Sequence, residues 1–188
     1  MTIDLLLFLS KFVKKLVFNY NQFKSIINFV MNTKLKVGII IENEDSSKIL
    51  LIKEKLQKKE KPLWNLIKGS YEKADSSLLE TAKRECLEEI GVKINLNYIL
   101  AIYFSQKADK NRIQITFIAT IKEGKPTLSS NKKQKELKEC ILEFKWFDKK
   151  QICSLKEAFF VNKRAFLMTN DWSNGQRFPL ESYQEIET

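Results

Sequence analysis

The residue types able to do chemistry in this chain of 188 residues are concentrated in one stretch, Arg84-Glu85-Cys86-Leu87-Glu88-Glu89-Ile90-Gly91-Val92. At 3.6 residues per turn, Glu89 lies about 40° round the axis from Glu85, and Glu88 about 60° the other way. Three carboxylates therefore share one helix edge. Like charges one turn apart cost a few tenths of a kcal/mol per exposed pair, and Glu88 and Glu89 also carry the wrong sign for a helix C-terminus. A divalent cation reverses that balance, because magnesium takes oxygen ligands from one or two carboxylates together with substrate phosphates and water. A solvated acidic face is the rival reading of the same spacing.

The helix that carries these acids is specified at both ends. Ser77-Leu78-Leu79-Glu80 has the pattern of a capping box, with Ser77 accepting from the backbone and Glu80 reaching back to the cap. Gly91 supplies the left-handed stop. Leu79, Ala82, Cys86 and Ile90 fall along one stripe and predict the core face.

Composition removes other mechanisms. The chain has no histidine, which excludes Ser-His-Asp and Cys-His couples and histidine-ligated zinc. Cys86, Cys140 and Cys153 stand far apart and read as reduced thiols. The formal net charge of +10 suits polyanionic partners, although a lysine-rich composition alone also produces it.

Around the acidic helix, Lys36–Glu42 and Lys48–Lys53 are β-branched runs flanking a polar turn, and predict a hairpin. Leu63–Ile67 predicts a short strand that delivers the chain to Gly69. Further strands are expected at Tyr98–Ser105, Arg112–Lys122 and Ile141–Phe147, a mobile loop at Lys122–Glu139, and a helix at Ser154–Met168. Strands before and after a central helix indicate a mixed α/β domain.

Residues 1–31 repeat apolar side chains at helical spacing, from Leu5 and Leu9 to Ile27 and Val30, and predict one or two amphipathic helices. Lys11, Lys14 and Lys15 interrupt the apolar run before the length of about 20 residues that a bilayer span requires. The expectation is a helix packed on its own domain or on a second copy in a homodimer. A peripheral contact with a membrane surface is the alternative.

Arg84 to Val92 match R-E-U-x-E-E-x-G-U, where U is apolar, and this half resembles the Nudix box position for position. The upstream half is similar: Trp64-Asn65-Leu66 and Lys68-Gly69 stand where the strand and glycine open the motif. The pattern G-x5-E-x7-R expects Glu six residues after Gly69, where this chain has Asp75, and Arg84 then comes one residue late. Ile67 stands where many members carry proline.

The resemblance to Nudix hydrolases implies an α/β/α sandwich with a mixed sheet over residues 34–170, preceded by a helical extension at 1–33 and followed by a tail at 171–188. It implies hydrolysis of the pyrophosphate bond in a nucleoside diphosphate linked to another moiety. Glu85, Glu88 and Glu89 are the implied catalytic and metal ligands, with the Gly69 carbonyl. The cofactor is magnesium, with manganese as the alternative. Arg84, Asp75 and Gly91 support the motif, Glu72 and Glu80 being rivals to Asp75 for Arg84. Lys68 and Trp64 are candidates to contact substrate, and Tyr103, Phe104 and Phe117 are further aromatics open to base stacking. The general base is left between a box glutamate, Glu136 and Glu139. The partner is a nucleotide-derived small molecule, RNA being less favoured, and the location cytoplasmic or peripheral to the membrane. A degenerate, binding-only protein on the same scaffold is the alternative function.

Overall fold

The computed structural model describes residues 33–107, 110–136 and 140–186, with the isolated positions 22 and 24. The amphipathic segment expected at 1–31 lies outside the described residues, those two positions apart. The chain divides into two compact units, residues 1–34 with 104–112, and residues 35–103 with 113–188. The second carries the candidate site.

The elements in chain order are β1 (Thr33–Glu42), β2 (Lys48–Glu54), β3 (Leu63–Asn65), β4 (Ile67–Ser70), α1 (Leu78–Ile90), β5 (Lys93–Lys107), β6 (Lys110–Glu123), α2 (Asn131–Glu136), β7 (Ile141–Asp148), α3 (Lys149–Ser154), α4 (Lys163–Ser173) and β8 (Phe178–Pro179). Among the described residues these strands form one mixed sheet with helices on both faces, an α/β sandwich. Its order is β3-β2-β1-β6-β5-β8, with β4 paired to β1 and β7 to β2.

Strand alternation assigns each side chain to a face. Val37, Ile39 and Ile41 of β1, Leu50 and Ile52 of β2, and Ile115, Phe117 and Ala119 of β6 pack with Leu78, Ala82, Cys86 and Ile90 of α1. Ile40, Ile49, Leu51 and Ile118 point the other way, into a cluster with Ile152 of α3 and Ala165, Met168 and Trp172 of α4. Both faces are thus covered, and this explains the unbroken apolar runs of β1 and β2, where a half-exposed sheet would alternate.

The site is positioned by a fork in the sheet. β1 pairs antiparallel with β2 only at Ile41↔Leu50 and Glu42↔Ile49. Beyond that point the two strands are joined to β4 and β3 instead, through Lys36↔Ser70 to Ile39↔Ile67 on one side and Ile52↔Asn65 to Glu54↔Leu63 on the other. The chain carrying Gly69 is therefore held by backbone ladders beneath α1.

Two expectations are corrected by local chemistry. The helix expected at Ser154–Met168 is two helices. Asp148 and Gln151 form a capping box that starts α3 at Lys149, Leu155 is extended, and Asn162 caps α4 by accepting from the Ala165 N–H. The loop expected at Lys122–Glu139 contains α2 and is tied back to α1: the Thr127 N–H donates to the Ile90 carbonyl at 2.9 Å, and the Ser129 hydroxyl donates to the Glu88 carbonyl. α4 runs on to Ser173 with Trp172 buried, and beyond it Leu180 and Tyr183 pack against the α1-side core.

Glu42, 2% exposed at the end of β1, anchors that C-terminal segment. Its Oε1 accepts from Trp172 Nε1 at 2.5 Å and from the Arg177 guanidinium. Arg177 in turn lies over the Tyr98 ring, 5.9 Å from its centroid. Glu42→Ala leaves a buried indole N–H without its acceptor and removes a charge-assisted hydrogen bond. The expected loss is about 2–3 kcal/mol, read as a lower urea midpoint.

Candidate functional site

The acidic helix begins as its sequence demands. Ser77 Oγ accepts from the Glu80 N–H at 3.1 Å, but Glu80 does not close the expected box: its carboxylate accepts from Lys83 Nζ at 2.7 Å. The helix ends at Gly91, φ 71°, whose N–H returns to the Cys86 and Leu87 carbonyls. That positive φ favours glycine, and an added Cβ would also stand 2.9 Å from Thr127 Oγ1.

Two of the three candidate ligands face inward: Glu85 is 6% exposed and Glu89 2%. They flank Cys86 on the core side of α1. Burial first, then the charges of Glu89 and Glu85, push its thiol well above the ordinary range, and the thiol is therefore inert. Glu88 lies further out, its side chain 26% exposed.

Gly69 has no unusual backbone demand; its requirement is space. A Cβ built on it would fall 1.7 Å from Glu85 Oε1, so the carboxylate lies directly against the main chain of β4. The opening glycine of the motif and its first glutamate are thus two sides of one contact. A buried carboxylate seated on main chain, with a second one a turn away, is an oxygen-rich arrangement of the kind a hard divalent cation takes. Among the described residues no three acidic or cysteine side chains converge into a ready-made cage, so backbone, water and substrate oxygens must complete any coordination.

Arg84 gathers the acids. Its Nε and Nη2 form a bidentate pair with Asp75 Oδ1 and Oδ2 at 2.9 and 3.1 Å, and Nη2 also donates to the Ser70 carbonyl at 3.2 Å. Nη1 lies 3.0 Å from Glu85 Oε1 and 2.9 Å from Glu88 Oε2. Asp75 Oδ2 is further held by the Glu72 N–H and Thr81 Oγ1, both at 3.0 Å. Asp75 is therefore the partner of Arg84 in this chain. Of its rivals, Glu80 pairs with Lys83, and Glu72 contributes main chain. The shorter acid still meets the guanidinium because the 72–75 turn and the Thr81 hydroxyl hold its carboxylate there.

Hydrogen bonds from Arg84 hold the Asp75 carboxyl below its usual 3.8, at about 2, against the opposing effect of burial.

Lys68, paired with Gly38 across the ladder, directs its ammonium to Glu54 Oε2 at 3.1 Å. The same oxygen accepts from Asn65 Nδ2 at 2.7 Å. Sequence reasoning assigned no role to Glu54 or Asn65: each stands at a strand end where a polar residue is unremarkable, and only the fork brings them to Lys68.

Trp64 is half-buried on the α4 side of the sheet, edge-on to Phe147 at 4.8 Å between centroids, with Lys53 Nζ 5.0 Å from its ring centre. Phe117 is fully buried core and Tyr103 donates to Asp171 Oδ2 at 2.5 Å, so neither is presented to a base. Phe104 is exposed. Glu136 is exposed at the end of α2, and Glu139 lies outside the described residues.

The fold, the fork and the acidic helix define an α/β sandwich built round a carboxylate-bearing motif. A family model for the NUDIX domain matches residues 32–169. The chain belongs to that family, and is a Nudix-type pyrophosphohydrolase. No curated protein matches it. Among solved structures it resembles a NUDIX hydrolase from Nitrosomonas europaea, at 22% identity over 82% of this chain and 97% of that one, with a TM-score of 0.65. It also resembles a UDP-X diphosphatase, at 21% identity over 78% and 66% of the two chains, TM-score 0.54. A third is the NUDIX domain of Shewanella oneidensis NrtR complexed with ADP ribose, at 16% identity over 75% and 86%, TM-score 0.55. Members of the family generally use a divalent metal.

Two outcomes follow from this geometry. Gly69→Ala must displace Glu85 or the strand, an overpacking cost of about 1–3 kcal/mol; it should lower the urea midpoint and abolish any rise in melting temperature on adding magnesium. The Asp75–Arg84 pair contributes stability that is fully present above the ordinary carboxylate value of 3.8 and is lost as pH falls through about 2. Stability of the wild type should therefore drop between pH 4 and 2 more steeply than that of Asp75→Asn, as measured by denaturant midpoints across that window.

Proposed function

We propose that the chain hydrolyses, with magnesium, the pyrophosphate bond of a nucleoside diphosphate linked to another moiety. The observation that carries this reading is the seating of Glu85 on Gly69 with Glu89 buried one turn on. Keeping two carboxylates out of water is costly; Arg84 offsets that cost in part at Glu85, and a bound cation would add counter-charge for both.

In this reading Glu85, Glu89 and Glu88 hold the cation, with the Gly69 carbonyl as a further oxygen, and manganese can replace magnesium. A bound divalent cation supplies neutralisation of diphosphate charge and acidification of the attacking water. Arg84 keeps Glu85 and Glu88 in register; Glu88, the more exposed of the two, is the ligand able to turn outward. Lys68 places its ammonium against a phosphate oxygen, aimed by Glu54 and Asn65. Trp64, on the opposite face from α1 and packed on Phe147, supports β3 and is not assigned to stack on substrate. A box glutamate serves as general base, with Glu136 and Glu139 as loop candidates. The protein is placed in the cytoplasm. The amphipathic residues 1–31 serve a homodimer contact or a membrane surface; no helix among the described residues is long and apolar enough to cross a membrane.

The test is a panel of nucleoside diphosphate derivatives with magnesium, run on wild type, Glu85→Gln and Glu89→Gln. Partners that merely orient a metal ligand are worth 10–100-fold in activity or affinity, so loss of a direct ligand should lower kcat/KM by at least ~10²-fold. The thermal shift produced by magnesium should disappear with it. Hydrolysis unchanged in Glu89→Gln would falsify the assignment, and nucleotide binding without turnover in the wild type would make the protein a binder.

A further inference from the structure

Helix α1 is weakest at the end where its acids stand. The last carbonyls of a helix have no partner within it, the last turn of α1 carries no basic residue, and Glu88 and Glu89 put negative charge at the negative end of the dipole. Donors from outside must keep that turn wound. The Gly91 and Val92 N–H groups cover the Leu87 and Cys86 carbonyls. The segment that follows β6 supplies two more donors: the Thr127 N–H, on the Ile90 carbonyl at 2.9 Å, and the Ser129 hydroxyl, on the carbonyl of Glu88 itself. Gly124, where this segment leaves β6, lies against the same helix end, since a Cβ there would stand 3.2 Å from the Gly91 carbonyl oxygen.

The segment cannot hold itself in place. Its one helix, α2, is six residues long, well short of the roughly 12 that an isolated helix needs. Gln134, 7% exposed, fastens it. Nε2 donates to the Ser129 carbonyl at 3.0 Å, and Oε1 accepts from the N–H of Ile141, the first residue of β7, at 2.7 Å. Ile141 stands across from Glu54 in the β2–β7 ladder, and Glu54 holds Lys68. One line of hydrogen bonds therefore runs from the strand edge at the fork, through Gln134 and Ser129, to the main chain of Glu88. A terminal amide allows this because it carries a donor and an acceptor on one carbon. A carboxylate has no N–H for the Ser129 carbonyl, and an aliphatic side chain leaves both backbone groups without the partner they have now.

We propose that Gln134 is a positioning residue for the cation site: acting through Ser129, it keeps the last turn of α1 wound, so that Glu88 and Glu89 stay on one edge with Glu85. The inference rests on the reading of α1 as the cation-binding helix.

The experiment titrates the full chain with manganese in the absence of nucleotide, free ion being read by electron paramagnetic resonance, and follows amide hydrogen exchange of the metal-free protein. The variants are Gln134→Met, which fills a similar volume without either bond, Ser129→Ala, which breaks the next link, Ser129→Thr, which keeps the hydroxyl, and Ser129→Ala combined with Gln134→Met. All are measured well below their melting temperatures. Groups that orient metal ligands are worth 10–100-fold in affinity, and Gln134 stands one step further back, so the Kd for manganese should rise by about 10-fold in Gln134→Met. Ser129→Ala should match it, and the double variant should lose no more than either, because the two residues act in one line. Ser129→Thr should bind as wild type does. In metal-free Gln134→Met the amides from Glu88 to Val92 should exchange faster while those of β1 do not. A lowered melting temperature with an unchanged manganese Kd makes Gln134 a purely structural residue and overturns the proposal, as does a wild type that binds no manganese. Ser129→Ala carries the same test if Gln134→Met fails to fold. Because binding is read without substrate, an absence of hydrolysis overturns only the catalytic reading.

Discussion

One guanidinium holds the candidate site together. Arg84 touches Asp75, Glu85, Glu88 and the Ser70 carbonyl, so a single cation is shared by three carboxylates on or before one helix. Without it the inner edge of α1 would carry uncompensated negative charge against buried surroundings, where a screened repulsion of a few tenths of a kcal/mol becomes larger. The planar fork of an arginine is what allows this. Nε and Nη2 address both oxygens of Asp75 while Nη1 remains for the helix, a division that the single ammonium of a lysine cannot reproduce.

The second constraint is steric, and depends on the first. Glu85 occupies the volume that a side chain at position 69 would need. The strand beneath it must therefore be glycine there, and must be held rigidly enough to keep the contact. The fork in the sheet does that: β4 is bonded to β1 along Lys36–Ile39, and β3 to β2 along Ile52–Glu54. A loop carrying Gly69 would have no such register. Arg84 ties the same strand to the helix once more through Ser70, so helix and strand are joined on both sides of the carboxylate.

What could be read from the sequence was whatever depends on local chemistry. The ends of α1, the alternation of faces in β1 and β2, and the spacing of Glu85, Glu88 and Glu89 all follow from residues within a turn or a strand of one another. What could not be read depends on long-range pairing. Glu54 meets Lys68 across 14 positions and Glu42 meets Arg177 across 135, and neither residue carries a local mark of its role. The single helix expected at Ser154–Met168 failed for a related reason. Apolar spacing survives a break when both pieces pack on the same core, so periodicity alone did not reveal that Asp148 and Asn162 begin separate helices. The inner burial of Glu85 and Glu89 was likewise hidden, because their helical angle fixes which edge they share and says nothing of what covers it.

The departure in the front half of the motif shows which property the fold selects. The chain has one residue more than the pattern and a side chain one methylene shorter, yet Asp75 meets Arg84 with two hydrogen bonds. The extra residue falls between Asp75 and Arg84, and Asp75 itself sits in a turn closed by its N–H on the Glu72 carbonyl, at 2.9 Å, while the reciprocal bond from the Glu72 N–H fixes the carboxylate. Thr81, from the first turn of α1, adds a third donor. A carboxylate on a longer, freer side chain would lose more rotamer entropy to reach the same place; Asp75 is brought there by the backbone instead. The requirement is thus for a negative charge at the guanidinium fork. Identity and spacing are free to change as long as the turn delivers it, which is why an interrupted motif still closes on an intact acidic helix.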